Sequence, residues 1–440
     1  MASQHGHGGS DGTRRREAIV SDAIGADYGM GTAAIGNLYR AVDDDTADAT
    51  VAAAIGAGLR YFDTAPYYGF GLAERRLGAA LARHDPDATC RVSTKVGRRL
   101  VPGGERGGDR HGFVAGDPYA PVFDYTADGV RRCFDDSLSR LRRGRVEVLL
   151  AHDLGRMTHG DDHARHLRDF LDGGYGAMVA LRDAGLVGAI GVGVNEIAVC
   201  EEVLERVPLD VILLAGRYTL LDRSAAGLLD RCHRQGVRVI VGGAYNSGIL
   251  ARDPADADPG ESHYDYATPS DAVVARTRAL ARTCARHGVA LPAAAIQFPL
   301  RHPAVDRVLA GLASPAEVAA LRERAAVTVP DALWSALEGG GRQQLILLHP
   351  DDNVLVCVAP IAAGDLLPVS GGTTPAREGV TVGHKVARQA LRPGDKVIKY
   401  GAPIGSMTAA AAAGQWVHMH NMKSDYIASH TRSAVTEQRA

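Results

Sequence analysis

From residue 27 onward, short apolar and β-branched runs alternate with amphipathic stretches whose apolar side chains recur at helical spacing. The runs predict strands near 27–31, 59–63, 91–95, 146–151, 187–193, 210–214, 237–242 and 306–310. The stretches predict helices at 46–58, 71–83, 126–143, 197–206, 222–235, 271–287 and 315–325. Eight such units favour a (β/α)8 TIM barrel over an open doubly wound sheet. The GVGVN run at 191–195 also lacks the GxGxxG turn of a doubly wound dinucleotide fold.

Two segments interrupt this alternation. Residues 99–123 contain six glycines and three prolines after the third strand, which predicts either an active-site lid or a surface loop. The ALEGGGRQ segment predicts a flexible linker at 336–343, and short strand-like runs beyond it predict a small C-terminal β-rich domain at 344–440. The remaining prediction is a flexible tail at 1–16 and a barrel at 17–335.

Composition narrows the class of protein. Because 49 Lys+Arg face 51 Asp+Glu, the formal charge is −2 and we expect no nucleic-acid partner. No apolar run approaches the roughly 18 residues of a membrane span, and the basic start lacks the apolar segment of a signal peptide. We therefore expect a cytoplasmic protein without a membrane partner. The six scattered cysteines form no CxxC pair, which argues against a disulfide framework and a cysteine zinc site.

One lysine is unusual because of where the others lie. Of the 49 basic residues five are lysine, and residues 1–384 contain only Lys95. A stretch that otherwise uses arginine for positive charge keeps an ammonium here, either because chemistry requires a compact, tunable charge or because one surface lysine remains.

The ends of successive predicted strands carry polar side chains. Asp63 follows the second strand, Lys95 the third and His152 the fourth, and Tyr68 lies in the loop after Asp63. Catalytic groups of (β/α)8 barrels occupy these carboxyl ends. A nearby ammonium favours the phenolate of a tyrosine whose pKa is ordinarily about 10, so the group suits proton transfer with a hydroxyl. Taken singly, each could instead be structural, as a turn residue, a core residue or a strand terminator.

Four motifs surround or follow these residues: DTAPYYG at 63–69, STK at 93–95, DDSLSRLRRGRVEVLLAHD at 135–153 and GVGVN at 191–195. Together they resemble the aldo-keto reductase superfamily over roughly residues 25–330. GNLYRAVDDD, GRYTLLD and GGAYNSGIL resemble the branch of D-threo-aldose (L-fucose) 1-dehydrogenase and pyridoxal 4-dehydrogenase. The resemblance implies a nicotinamide-dependent oxidoreductase with a catalytic tetrad of Asp63, Tyr68, Lys95 and His152.

The same resemblance implies cofactor contacts. It places Gly29, Gly31 and Thr32 near the nicotinamide, and Ser247, Gly248 and Leu250 at the pyrophosphate. The chain departs from relatives at Ala215, where many have glutamine, and at Gly242, where many stack an aromatic ring. Asn195 is therefore the candidate for the carboxamide contact.

The choice of cofactor depends on the start of the last barrel helix. NADP-preferring relatives carry Lys or Arg there, whereas this chain presents Ser314 and Glu317. A carboxylate repels a 2′-phosphate and accepts hydrogen bonds from a ribose hydroxyl, which favours NAD. Ser314 and Glu317 also form a capping box. Arg322 and Arg324 leave NADP possible.

The predicted substrate is small and polar. Tyr67, Phe70 and Tyr125 are the candidate pocket residues, and a pocket with few large apolar faces suits a sugar better than a steroid. We expect oxidation of an aldose at C1 to a lactone. The alternatives are a pyridoxal 4-dehydrogenase-like activity, another small-aldehyde or alcohol oxidoreductase, or a non-catalytic nucleotide-binding scaffold.

The C-terminal motifs resemble a second family. LHPDDNVLVCVAPIAAGD, VGHKVARQALRPGDKVIKYGAPIG and AAGQWVHMHN resemble the small N-terminal domain of altronate and galactarate dehydratases. The resemblance implies a role in sugar-acid dehydration together with a separate large subunit. His418 and His420 would face one way on a strand. Two histidines are too few for a metal site, and we expect none.

Overall fold

The fold was analysed in a computed structural model of the chain. It describes residues 27–105, 107–253, 263–265, 267–339, 345–361, 363–364, 366–370 and 372–425. The predicted tail at 1–16 lies outside these residues. The chain divides into two compact units between Trp334 and Ser335.

Eight parallel strands close into a barrel, which confirms the predicted fold. The strands, in chain order and numbered first to eighth below, are Tyr28–Gly31, Tyr61–Asp63, Arg91–Val96, Val146–His152, Val187–Val194, Val211–Ala215, Arg238–Gly242 and Val305–Gly311. Each strand pairs with its neighbours in the chain, and the first pairs with the eighth through Tyr28 and Val308. All carboxyl ends therefore meet at one rim.

Helices surround the barrel. They are Asp44–Gly56, Leu72–His84, Ala127–Leu141, Arg156–His159, His163–Asp169, Tyr175–Asp183, Ile197–Leu204, Ala226–Gln235, Asp271–Arg286, Leu291–Gln297, Pro315–Ala326 and Asp331–Gly339, with a π-helical turn at Phe170–Gly174. Four begin at a capping side chain that accepts a hydrogen bond from the amide three residues on: Asp43, Thr126, Ser270 and Ser314. The barrel interior is filled by apolar side chains such as Val148, Val211, Ile240 and Leu309.

The segment after the third strand is more ordered than its glycines suggested. Strand Arg98–Pro102 pairs antiparallel with Tyr119–Phe123, and Asp109–Arg110 pairs with Phe113–Val114. The predicted loop at 99–123 is therefore largely two nested hairpins. They rise from the rim that holds the carboxyl end of the third strand.

The C-terminal unit is β-rich, as predicted. Its strands are Leu345–Ile346, Val354–Cys357, Leu366–Val369, Gly372–Pro375, Lys385–Ala387, Lys396–Lys399, Ala402–Met407, Trp416–Val417 and Met422–Lys423. They form a four-stranded, a three-stranded and a two-stranded antiparallel sheet.

Two expectations for this region need correction. Helix Asp331–Gly339 continues into the predicted linker at 336–343, so the first four residues of that linker are helical. Residues 340–344 lie outside the described part. The strand at Trp416 ends at Val417, and His418 begins a turn by donating its amide to Asn421 at 2.9 Å, so His418 and His420 do not share a strand face.

Within the described residues, no helix is long and apolar enough to cross a bilayer. All six cysteines are buried and free of disulfide bonds.

Candidate active site

The barrel rim brings three predicted residues together. Lys95 Nζ donates to Asp63 Oδ2 at 2.7 Å, to the Thr64 carbonyl at 2.8 Å and to the Tyr68 hydroxyl oxygen at 3.1 Å. His152 ends the fourth strand, and its ring lies edge-on to that of Tyr68, with centroids 5.9 Å apart. The four residues predicted from spacing therefore form one contiguous group at adjacent strand ends.

Backbone packing places the Tyr68 hydroxyl. Tyr68 begins a short turn, Tyr68–Gly71, in which Gly69 adopts φ 63°. A Cβ on Gly69 would lie 2.4 Å from the Gly36 carbonyl oxygen, so the two loops approach as closely as their backbones allow. The loop after the first strand therefore packs directly against the turn that carries Tyr68.

The ammonium sits in a closed, charge-matched environment. Lys95 and Asp63 are 1% and 3% exposed, and Ser93 Oγ donates to the other Asp63 oxygen at 2.7 Å. Burial alone would lower the pKa of Lys95, but Asp63 and Tyr68 outweigh it and raise that pKa. Gly193, on the fifth strand, leaves room for the stem, because a Cβ there would lie 3.4 Å from Lys95 Cε. Ser93 and Gly193 were not identified from sequence.

His152 is held neutral. Burial, and then the positive charges of Arg98 and Lys95, place its pKa well below its ordinary value. A neutral imidazole donates one hydrogen bond without carrying charge. The site thus combines a permanent cation, a phenol beside it and a neutral hydrogen-bond donor. This set can take a proton from a hydroxyl and orient the same oxygen.

Arg98 and Asp153 border the group and were not predicted as site residues. Arg98 Nη2 donates to Asp153 Oδ2 at 2.5 Å, and its guanidinium lies 4.1 Å from the centroid of the Tyr67 ring. Asp153 Oδ2 lies 3.5 Å from His152 Nε2. The available sequence signal was the His-Asp pair at the end of the fourth strand, for which a strand terminator was the structural alternative.

Of the predicted pocket residues, only Tyr67 is partly exposed. Its ring lies 6.2 Å from that of His152, so it can line the pocket. Phe70 has no exposed surface and packs under the Arg110 guanidinium. Tyr125 is equally buried, and its hydroxyl donates to the His152 carbonyl at 2.6 Å. Phe70 and Tyr125 were therefore wrong as pocket residues, because the loops that carry them fold back into the core.

The three residues predicted to contact the nicotinamide at the first strand have different surroundings. Gly31 lies at the rim, where a Cβ would meet nothing closer than 3.6 Å. At Gly29 a Cβ would lie 2.8 Å from Leu309, so this glycine serves packing inside the barrel rather than cofactor approach. Thr32 is fully buried, and its hydroxyl donates to the Asp63 carbonyl at 2.9 Å, which ties the first rim loop to the second. Gly29 and Thr32 are corrections to the prediction.

The ends of the sixth and seventh strands carry small residues, and Asn195 follows the fifth strand. Gly242 would give a Cβ no neighbour closer than 3.5 Å, and Gly216 none closer than 3.9 Å. With Ala215, they form a shelf of small residues. The carbonyl of Asn195 accepts from Arg217, whereas its side-chain amide has no partner among the described residues. Asn195 therefore stays the residue predicted to hold the carboxamide of a nicotinamide.

The turn expected at the pyrophosphate is compact. Ser247 and Gly248 both have positive φ, 59° and 106°. The amides of Gly248 and Leu250 donate to the Tyr245 carbonyl at 3.0 and 3.1 Å, so neither faces a ligand in this conformation. Leu250 is fully buried. Ser247 and the open Cα face of Gly248 remain as the residues that would approach a diphosphate.

Ser314 and Glu317 form the predicted cap. Ser314 Oγ accepts from the Glu317 amide at 3.3 Å, and Glu317 Oε2 accepts from the Ala313 amide at 2.7 Å. The other Glu317 oxygen binds Arg40 Nη2 at 2.8 Å. Arg40, which was not predicted from sequence, therefore balances the carboxylate that was expected to repel a phosphate.

The barrel matches a known protein family. The Aldo/keto reductase family profile matches residues 28–339. The chain is 40% identical over 326 residues to pyridoxal 4-dehydrogenase of Microbacterium luteolum, covering 71% of this chain and 93% of that protein. It is 38% identical over 314 residues to D-threo-aldose 1-dehydrogenase of a Pseudomonas species, covering 70% and 92%. The fold is also similar to the holo form of the aldo-keto reductase AKR11C1 from Bacillus halodurans, with TM-score 0.56, 24% identity and 71% and 91% coverage.

The C-terminal unit has its own match. The Altronate/galactarate dehydratase SAF domain profile matches residues 343–425. A stretch of 48 residues is 50% identical to the alpha subunit of (2R)-sulfolactate sulfo-lyase from Paracoccus pantotrophus, covering 11% of this chain and 72% of that subunit. The chain belongs to the aldo-keto reductase family and carries a C-terminal SAF domain of the altronate/galactarate dehydratase type.

Proposed function

We propose that the barrel oxidises the C1 hydroxyl of an aldose of the L-fucose or D-threo type to a lactone, with NAD as the oxidant. The observation that carries this proposal is the Lys95 ammonium, 3.1 Å from the Tyr68 oxygen and next to a neutral His152. The likeness to D-threo-aldose 1-dehydrogenase supports the choice of substrate.

Each side chain has a defined part in the reaction. Tyr68 takes the proton of the anomeric hydroxyl, and Lys95 stabilises the phenolate that accepts it. His152 donates a hydrogen bond to the same oxygen and orients C1. When bound, the nicotinamide supplies the acceptor for the hydride that leaves C1. Asp63 keeps the ammonium charged and fixed through its 2.7 Å ion pair.

NAD is the proposed cofactor because of Glu317. Its carboxylate lies where NADP-preferring relatives carry a cation, and a ribose hydroxyl is a better partner for it than a phosphate. Arg40 is paired with Glu317 at 2.8 Å, so part of its charge is already balanced by this carboxylate. We expect a higher kcat/KM with NAD. Equal or better turnover with NADP would contradict this choice.

A second candidate is oxidation of pyridoxal. It is favoured by the 40% identity to pyridoxal 4-dehydrogenase over 93% of that protein. The same four residues would serve, since pyridoxal in its hemiacetal form also presents a hydroxyl on the carbon to be oxidised. The two substrates differ in shape, one an aliphatic ring rich in hydroxyls and the other a flat aromatic ring.

Steady-state kinetics distinguish the candidates. The full chain would be assayed against a panel of aldoses and against pyridoxal, each with NAD and with NADP. The proposal predicts that an aldose has the highest kcat/KM. Turnover of pyridoxal without turnover of any aldose would replace the first candidate by the second. Nucleotide binding without turnover of either class would support the non-catalytic scaffold instead.

For the C-terminal unit, we propose a partner: a separate large dehydratase subunit. The likeness over 72% of a lyase alpha subunit supports this, because that protein is itself one subunit of an enzyme. Affinity purification of the full chain from its native lysate, followed by identification of stoichiometric partners, tests the idea. Recovery of a dehydratase-type subunit supports it, and a monodisperse chain without such a subunit contradicts it.

A further inference from the structure

We propose that Asp153, held by Arg98, is a positioning residue that keeps the neutral His152 ring oriented with its proton on Nε2. This inference deepens the proposed function and rests on it, since His152 there donates a hydrogen bond to the substrate oxygen. Asp153 acts through His152 and need not touch the substrate.

The two ring nitrogens of His152 have unequal surroundings. Asp153 Oδ2 lies 3.5 Å from Nε2, and a carboxylate at this distance favours a proton on that nitrogen electrostatically without a hydrogen bond that would withhold the N–H from the substrate. Nδ1 is buried and has no hydrogen-bond partner among the described residues. The tautomer with its proton on Nδ1 would therefore bury an unsatisfied donor and turn a lone pair toward a carboxylate. Both effects favour the proton on Nε2.

The ring is also confined on its other sides. Its edge-on contacts are with Tyr67 and Tyr68, whose centroids lie 6.2 and 5.9 Å away. The Tyr125 hydroxyl donates to the His152 carbonyl and fixes the backbone, not the ring. Asp153 is thus the charged side chain that lies beside Nε2 in the described part of the chain.

The backbone delivers the carboxylate to this place. Asp153 has φ 46°, in the left-handed region that Asp tolerates better than most residues. Its amide donates to the Gly193 carbonyl at 2.9 Å, which holds the turn directly after the fourth strand. The chain therefore turns at Asp153, and its carboxylate lies beside the His152 ring.

Arg98 fixes the rotamer of Asp153. Arg98 is 7% exposed, and its guanidinium donates to the same Oδ2 at 2.5 Å and stacks on Tyr67. Its own position is set by the hairpin strand Arg98–Pro102, which begins two residues after the third strand ends. Arg98, Asp153 and His152 form a chain of contacts from the hairpin to the site.

The test compares variants that differ in the carboxylate alone. Arg98→Met serves as background, because removing both partners of a buried ion pair is tolerated better than removing one. Asp153→Leu is then added. Asp153→Gly, also in that background, keeps the left-handed turn unstrained if leucine does not fold. Thermal denaturation establishes that each variant is folded.

The main readout is ¹⁵N NMR of histidine-labelled protein without substrate, with His152 assigned from His152→Gln. We expect a single Nε2–H form in the wild type, some Nδ1–H form in Arg98→Met, where Asp153 is no longer held, and a larger Nδ1–H population once Asp153 is replaced as well. With whichever substrate the wild type oxidises, kcat should fall about tenfold relative to Arg98→Met with KM little changed.

Three results would overturn the proposal. They are a single Nε2–H form in the folded variants that lack Asp153, an unchanged kcat in those variants, and a change confined to KM, which would indicate direct contact between Asp153 and substrate. The NMR result does not depend on any substrate. Failure of the aldose assignment would therefore leave it intact and be recognised separately.

Discussion

Replacing Lys95 by methionine removes the charge beside Tyr68 and keeps an unbranched stem. Nζ lies 3.1 Å from the phenolic oxygen, and Coulomb's law with an effective dielectric constant of about 20 gives about 5 kcal/mol between ammonium and phenolate. Asp63, 2.7 Å from the same Nζ, offsets part of this attraction. We therefore expect kcat to fall by about 10²- to 10⁴-fold, the range typical of proton-transfer catalysis. The acidic limb of the pH–rate profile, along which the rate rises as the phenol loses its proton, should move to higher pH.

The assay is the steady-state formation of reduced nicotinamide with the best substrate of the wild type. Since Asp63 is buried, the single variant leaves an unpaired charge that costs about 3–5 kcal/mol of stability. Asp63→Asn with Lys95→Met removes this charge and should regain stability without regaining activity. Lys396→Met makes the same chemical change at an exposed lysine of the C-terminal unit and should leave oxidation unaffected. A folded Lys95→Met variant with undiminished kcat would refute the reasoning.

Three further predictions concern the other members of the site. Tyr68→Phe removes one hydrogen-bonding hydroxyl, so kcat should fall about 10³-fold while thermal stability changes by about 1 kcal/mol; retained turnover would exclude the phenol as proton acceptor. Glu317→Gln keeps an acceptor for the Ala313 amide and releases Arg40, so the NADP/NAD ratio of kcat/KM should rise about tenfold; an unchanged ratio would show that Glu317 does not discriminate. Because the pKa of folded His152 lies well below 6.5, the unfolded chain binds a proton there that the folded chain does not as the pH falls below that value. Below pH 6.5, the free energy of unfolding of the wild type should therefore fall by about 1.4 kcal/mol per pH unit more than that of His152→Gln, as measured by urea denaturation. The same pH dependence in both proteins would contradict a neutral buried histidine.

The strands of the barrel were predictable because each is a short apolar run bounded by polar or glycine residues, and every predicted strand lies within two residues of the observed one. The stretch between the fourth and fifth strands was not assigned. It folds as short helices joined by a π-helical turn, so no long periodic pattern marks it. The nested hairpins at 98–123 escaped prediction because two of their strands have only two residues each.

The site was predictable where residue type and strand position coincide. Lys95 was identifiable because residues 1–384 contain no other lysine. Asp63 and His152 were identifiable because they end the two strands on either side of the Lys95 strand. Arg98 and Gly193 could not be identified in this way, since their roles depend on contacts across the barrel that leave no local pattern. Phe70 was misassigned because an aromatic residue in a rim loop can face either the pocket or the core. Only the fold of the loop decides which.

The contact between Gly69 and the Gly36 carbonyl has a consequence for how this barrel can change. Rim loops are usually the parts of such a barrel that tolerate insertion, because the sheet beneath does not depend on them. Here the position of the Tyr68 hydroxyl depends on two loops whose backbones pack directly against each other. Lengthening either one should leave a folded protein whose proton acceptor has moved out of reach of its ammonium. Diversification of substrate choice would then have to proceed through the other loops of the rim.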